Sequence, residues 1–481
     1  MNSSKIFNQC IVAGEYVDSQ NGSTVDVCNP LDGKVITATP DLTEAQILKT
    51  IDSAHEAQKS WRKTHPQERR AILRKWHSLL LDAKDQLADL MVTEQGKPRA
   101  ETLGEVAYSA AYIDFYADEA IRLNGETVPA AFPNADVTIE YEPVGVVGII
   151  TPWNFPIAMF LRKVAPALAS GCSCIVKPDE NTPLSALLAV KLAQDAGVPP
   201  GVLNCVTGDG PMIGQALCES VKVNKISFTG SVEVGKILAR QSADTLKRVT
   251  LELGGDAPFI VFDDADIDAA VNGLMLAKFR NMGQTCVCAN RVLVQKSVLD
   301  KFTEKLTTTV KAMKLGSGFD EGVSVGPMIH EGALNKSIGV CTRAVEQGAR
   351  LVTGGVKDAT YPSIMQPTIL SDVRPDMEVA QQELFAPIVT LIPFETEEEA
   401  LAIANDTNFG LASYFYSENA KRIYRVKNAL EYGMVGVNTG VVSSALAPFG
   451  GIKESGYGRE GSRHGIFEYC NMKYINLNHG G

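Results

Sequence analysis

At 481 residues the chain is too long for one small core, so two or three domains are expected. It is 45% hydrophobic and 21% charged, an ordinary balance for a soluble globular protein. Its net charge of -11 argues against a nucleic-acid surface, which needs concentrated Lys and Arg, and no apolar run approaches the length of a membrane span.

Taken in order, the first segment, to about Asp52, reads as short strands and turns. Asn29-Pro30-Leu31-Asp32-Gly33 is a turn cluster between two β-branched runs. Met1 to Ser19 has neither the apolar core of a signal peptide nor the Arg-rich character of a transit peptide. After Pro66, the residues Ile72, Leu73, Trp76, Leu79, Leu80, Ala83, Leu87 and Leu90 recur at three and four. This predicts one long amphipathic helix, ending before Gly96-Lys97-Pro98. A second helix fills roughly Ala100 to Arg122, and both read as scaffold.

Leu123 to Pro143 is polar and alternating, as in Asp136-Val137-Thr138-Ile139-Glu140-Tyr141-Glu142, and predicts an exposed hairpin. A long exposed strand edge is a liability unless covered, so another subunit is expected to cover it.

From Val144 the rhythm is strand, helix, strand. Gly145 to Ile150 is a continuous apolar run, as a parallel strand buried on both faces requires. Further strands are read at Cys174–Val176, Leu203–Val206, Lys225–Phe228 and Val249–Leu253. This is a doubly wound, Rossmann-type α/β domain whose ligand should lie at the strands' carboxyl ends. After Gly254-Gly255 a second α/β series starts at Pro258–Phe262 and runs to about Asn438. Within it, Thr396 and Glu399 form a capping-box pattern that explains the acidic run Glu397-Glu398-Glu399.

Ten cysteines in so long a chain are not a disulfide framework, and a reducing cytoplasm is the expected setting. The pairs Cys172/Cys174 and Cys286/Cys288 lack zinc spacing, and the six histidines form no H-x-x-x-H pair. No metal site is expected.

Five stretches are candidates for chemistry. Cys286 stands behind the turn Gly283-Gln284-Thr285, where a thiol and neighbouring N–H groups can face a ligand together; the alternative is a small buried hydrophobe. Glu252 closes a buried strand before Gly254-Gly255, as a general base or a partner for a helix dipole. Asn154, at the end of the first buried strand, is either a donor to an oxyanion or a helix cap before Pro156. Lys177 and Glu180, after another strand, are either ribose contacts or a solvated turn. Gly230-Ser231-Val232-Glu233-Val234-Gly235-Lys236-Ile237 sits where N–H groups can hold a pyrophosphate, or it merely packs a helix. It is one residue short of a triphosphate loop, because Ile237 replaces the Mg²⁺-holding hydroxyl.

Asn154, Glu252-Leu253-Gly254-Gly255, Gly283-Gln284-Thr285-Cys286, Glu383-Leu384-Phe385-x-Pro387 and Pro448-Phe449-Gly450-Gly451 together resemble the NAD(P)-dependent aldehyde dehydrogenase superfamily, in its order and spacing over essentially the whole length. Phe279-Arg280-Asn281 before Cys286-Val287-Cys288-Ala289-Asn290 resembles its succinate-semialdehyde dehydrogenase branch. The resemblance implies a dinucleotide-binding domain (1–122 and 145–254), an α/β catalytic domain (255–446) and a β-hairpin oligomerisation arm (123–144 with 463–481). It also implies a homo-oligomer, dimer or tetramer.

For the chemistry, the resemblance implies Cys286 as nucleophile, activated by its site, with Asn154 and the Cys286 N–H on the oxyanion and Glu252 as base. It assigns cofactor contacts to Thr151, Pro152, Trp153, Lys177, Glu180, Gly208, Gly230, Ser231, Leu253, Glu383 and Phe385. A carboxylate at Glu180 favours NAD, with NADP as the alternative. Ala386, where the family commonly has Gly, is expected to tighten the nicotinamide end. Arg162, Arg280 and Ser444 match the contacts to the substrate carboxylate; for the arginines the alternative is a structural ion pair. Glutarate semialdehyde or a sulfonated aldehyde is the rival substrate. Cys288 is read either as a disulfide partner of Cys286 or as a small core side chain. A nucleotide-binding protein without activity is the reading from another class, opposed by the presence of Cys286, Glu252 and Asn154.

Overall fold

A computed structural model describes residues 6–480. The first five positions of the segment read for a leader, and the last residue of the arm, lie outside it.

The alternation that starts at Val144 builds an eight-stranded sheet. Its order is Gly456–Tyr457, Arg248–Glu252, Val223–Thr229, Val146–Ile150, Ser173–Lys177, Leu203–Cys205, Cys10–Val12 and Glu15–Val17. Arg248–Glu252 through Leu203–Cys205 are parallel, and the outer strands are antiparallel. The chain steps outward from Val146–Ile150 on one side, then returns to its other side with Val223–Thr229. That reversal opens a crevice beyond the carboxyl ends of these two strands, where a doubly wound sheet binds its ligand.

The second series forms a seven-stranded sheet in the order Arg350–Thr353, Thr368–Ser371, Ile388–Phe394, Ala289–Gln295, Ala257–Val261, Ala412–Tyr416 and Met434–Val437. Only Arg350–Thr353 runs antiparallel. The first sheet thus borrows its Gly456–Tyr457 edge from chain that follows the second.

The hairpin read between Leu123 and Pro143 is present as Glu126–Val128 and Ala135–Pro143. Its open edge is covered from within the chain, however. Cys470–Asn478 pairs along its full length, from Cys470 opposite Pro143 to Asn478 opposite Ala135. The covering strand itself exposes Met472, Tyr474 and Leu477.

Two local readings are corrected. The segment before Asp52 is not all strand and turn, because a helix spans Glu44–Trp61, capped by Thr43 and Gln46. It buries Ile47, Ile51, Ala54 and Trp61 at helical spacing. The single helix after Pro66 is two, Pro66–Asp82 and Lys84–Glu94, separated by Ala83 at φ -91° and ψ 9°. The Thr396 start is as read: its hydroxyl accepts the Glu399 N–H at 3.2 Å. Among the described residues no helix is long and apolar enough to cross a membrane.

Candidate active site

The helix Ile267–Phe279 stops where Asn281 and Met282 both turn left-handed, at φ 50° and 53°. Gly283 continues at φ 70°, and a Cβ there would stand 2.3 Å from the Ala386 carbonyl oxygen, so only glycine fits. This reversal carries Cys286 into the walls of two neighbouring cavities, of about 250 and 230 Å³. Cys288 lines neither. It is buried, with Sγ directed at the Lys278 carbonyl 3.7 Å away, and both thiols are free. That is the position of a small core side chain.

Asn154 meets Cys286 in the 230 Å³ cavity. Its Nδ2 donates to the Gln284 carbonyl at 3.0 Å, and its Oδ1 accepts the Phe155 N–H at 3.1 Å. Phe155, not Asn154, precedes the helix Pro156–Ser170, so the cap reading is set aside. Glu252 lines the same cavity at 1% exposure, and neither carboxylate oxygen has a hydrogen-bond partner among the described residues. A buried carboxylate left open in this way is either neutral or reserved for a reaction. Burial, and then the charge of Glu460, raise its pKa well above the carboxylate range, against the pull of Arg162 and Lys163.

Burial pushes Cys286 up to about 12, Arg162 pulls it down, and Glu383 and Glu252 push it further up. The nucleophilic form is the thiolate, so the proton must leave the sulfur in the reaction.

Beyond Trp153 the 230 Å³ cavity gives way to one of about 430 Å³ at the crevice of the first sheet. The two share Pro152, Trp153, Thr229, Gly230 and Ser231. Thr151, Lys177 and Glu180 complete the reading there, with Lys177 Nζ 2.7 Å from Glu180 Oε2. Ser231 caps the helix Val232–Ala243 by accepting the Val234 N–H at 3.3 Å, so that helix starts at the cavity. Thr151 and Thr229 each bury a hydroxyl without a partner among the described residues. An elongated cleft with a helix start in its middle and unpaired hydroxyls fits a dinucleotide.

Leu253, Glu383 and Phe385 line the end near Cys286. Glu383 accepts the Gly255 N–H at 3.1 Å, and burial raises it to about 7. Phe385 meets Trp153 edge-on at 5.5 Å.

Two residues expected at the cofactor are elsewhere. Gly208 lines none of these cavities; at φ 130° it packs against Asp41 and Leu42, and Gly210 and Pro211 form the wall instead. Ala386 is fully buried in the core and touches neither cavity beside Cys286.

The 250 Å³ cavity brings Arg162 and Arg280 to Cys286, with Phe155 and Phe449 as apolar walls. The two arginines differ. Arg162 is ion-paired to Glu460, which also takes Lys163, and its guanidinium lies 4.0 Å over the Phe449 ring. Arg280 makes no ion pair among the described residues, and its buried Nε has no partner. It is the cation left free for an anion. Ser444 is not in the wall; its hydroxyl accepts the Leu446 N–H, and Ser443 lines the cavity. Glu101, Gly104 and Tyr108, from a helix read as scaffold, also line it. Their spacing of three and four was the available signal. Glu460 carried none.

The profile described as "Aldehyde dehydrogenase family" matches residues 16–475. An Escherichia coli (strain K12) protein named "Succinate-semialdehyde dehydrogenase [NADP(+)] GabD" is 47% identical over 99% of both chains. A Pseudomonas putida protein named "Glutarate-semialdehyde dehydrogenase" is 48% identical over 97% of both. The crystal structure of succinate-semialdehyde dehydrogenase from Burkholderia pseudomallei superimposes with a TM-score of 0.98 at 47% identity, covering 99% of this chain and 98% of that one.

Proposed function

This chain belongs to the aldehyde dehydrogenase family, and from that premise we propose that it oxidises succinate semialdehyde to succinate with a nicotinamide dinucleotide. The observation that carries the reading is Arg280, unpaired, in one small cavity with Cys286. A free guanidinium suits a planar carboxylate, and the thiol shares its cavity, as a short bifunctional aldehyde needs.

Cys286 Sγ attacks the aldehyde carbon, its proton passing to solvent water, so that the Glu252 carboxylate stays free for the hydrolytic step. The carbonyl electron pair moves to oxygen, and Asn154 Nδ2 and the Cys286 N–H hold that oxyanion. Removing one such donor typically costs about 3–4 kcal/mol of barrier. When the oxyanion re-forms the carbonyl, the aldehyde C–H bond breaks with its electron pair and a Cys286 thioester is left; the bound dinucleotide would supply the acceptor for that hydride. Glu252 then takes a proton from water, the hydroxide attacks the Cys286 thioester, and the C–S bond breaks to release the acid and restore the thiol.

NAD is the preferred cofactor, because the Glu180 carboxylate suits a ribose hydroxyl and repels a 2′-phosphate. The E. coli relative is named for NADP, so the choice rests on this residue. The uncovered side of Cys470–Asn478, with Met472, Tyr474 and Leu477 exposed, supports a homo-oligomer. Ten free cysteines suit a reducing cytoplasm.

A second reading, a longer or sulfonated acid-bearing aldehyde, is favoured by Gly104. A Cβ there meets nothing within 4 Å, so the cavity has room. The test is a panel of aldehydes graded in length and charge, assayed with each dinucleotide. The proposal requires the highest kcat/KM for succinate semialdehyde, and a higher value for a longer acid replaces it with the second reading.

A further inference from the structure

The two groups that face the oxyanion come from different segments, the Asn154 loop and the Cys286 loop. One fully buried side chain ties them together from behind. Asn281 Nδ2 donates to the Asn154 carbonyl at 2.9 Å and to the Gln284 carbonyl at 3.2 Å. Gln284 also receives Asn154 Nδ2, at 3.0 Å. The Asn281 Oδ1 accepts Gln95 Nε2 at 2.8 Å, and its backbone N–H donates to Glu101 at 2.7 Å. Lys97 Nζ, paired with Glu105, holds the same Asn154 carbonyl at 2.7 Å.

Asn281 and Met282 are consecutive left-handed residues that are not glycine. Such backbone persists where its surroundings over-determine it, and asparagine tolerates it best of the larger residues. A buried carboxamide needs only enough partners to offset its desolvation. This one spends both amide bonds on the two carbonyls that orient the oxyanion donors.

We propose that Asn281 is a positioning residue for the oxidation, acting through Asn154: it fixes the Asn154 loop against the Cys286 loop so that the Asn154 amide meets the developing oxyanion. The proposal rests on the chemistry given under the proposed function. Gln95 supports Asn281 from one side, and Lys97 supports the Asn154 carbonyl from the other. Asn281 itself touches no substrate.

The test is a double-mutant cycle on the pre-steady-state burst of reduced dinucleotide, in wild type, Asn154→Ala, Asn281→Gly and the double variant. Glycine keeps the left-handed backbone and deletes the side chain. Asn281→Gly alone should slow the burst about 10²-fold, the scale of a misplaced catalytic group. Added to Asn154→Ala it should cost no more than about twofold, since the group it positions is gone. Alkylation of Cys286 by iodoacetamide, which needs no oxyanion donor, should keep its wild-type rate in Asn281→Gly. Multiplicative losses in the cycle, or a parallel fall in alkylation, overturn the proposal in favour of general support for the loop. A full burst in Asn154→Ala alone overturns the underlying chemistry, and is recognised because it does not involve Asn281. If Asn281→Gly does not fold, Gln95→Met, which removes the donor to Asn281 Oδ1 and with it the acceptor of the Lys97 N–H, should still slow the burst, and an unchanged burst overturns the proposal.

Discussion

Arg162 and Glu460 form an ion pair behind the substrate cavity, with both side chains at most 2% exposed. The pair leaves Arg280 as the uncommitted cation beside Cys286, so the two arginines should respond differently to substitution. Arg280→Ala should raise KM for succinate semialdehyde about 10- to 100-fold, the worth of a charge-assisted hydrogen bond. KM for an uncharged aldehyde of the same length should barely move. Equal effects on both would remove Arg280 from the substrate.

Glu460→Gln should act first on stability. It strands Arg162 and Lys163 without their shared carboxylate, and breaking a buried pair in this way costs about 3–5 kcal/mol. Denaturant unfolding checks it. A loss within about 0.5 kcal/mol, the range of an ordinary surface change, would contradict the network.

The same residue sets a pH dependence. Glu252 has a raised pKa from burial and from Glu460, so it is held neutral on the acid side and gains its function as base when pH rises. Turnover limited by thioester hydrolysis should therefore fall toward acid. Removing the Glu460 charge should move that acid limb to lower pH, because a like charge no longer opposes ionisation. A shift in the other direction would contradict the assignment.

Much of this site was legible in the chain because its residues sit at strand ends and tight turns, where local patterns are sharp. Glu252 before two glycines, Asn154 after an apolar run and Cys286 after Gly283 all fall where they were read. Residues placed by long-range packing were not legible. Glu460 meets Arg162 from a segment that follows the whole second sheet in the chain. Gly208 has the right neighbours in sequence but turns toward Asp41. Ser443 and Ser444 are adjacent, and no pattern says which of them faces the cavity. The helix Glu44–Trp61 was hidden because polar residues dilute its apolar face, so its capping pair Thr43 and Gln46 was the better signal.

Cofactor binding should follow Glu383. Burial places its pKa at about 7, and the ionised form is the stronger acceptor for ribose hydroxyls. KM for the dinucleotide should fall as pH rises through about 7, and the dependence should flatten in Glu383→Gln. A pH-independent KM in the wild type would remove Glu383 from the ribose.

Glu180 should decide between the dinucleotides. Glu180→Gln removes the negative charge paired with Lys177 at 2.7 Å, which on the proposed reading would lie beside the 2′ position. The ratio of kcat/KM for NADP over NAD should rise about five- to tenfold, the scale of one like-charge contact in water. An unchanged ratio would move the discrimination elsewhere.

Covalent chemistry at sulfur is tested most directly by rapid-quench mass spectrometry of the peptide bearing Cys286, in the Glu252→Gln variant supplied with dinucleotide and succinate semialdehyde. One acyl group per chain should accumulate on Cys286 alongside one equivalent of reduced dinucleotide. Reduction of the dinucleotide with an unmodified Cys286 peptide, or undiminished turnover in Cys286→Ser, would contradict it.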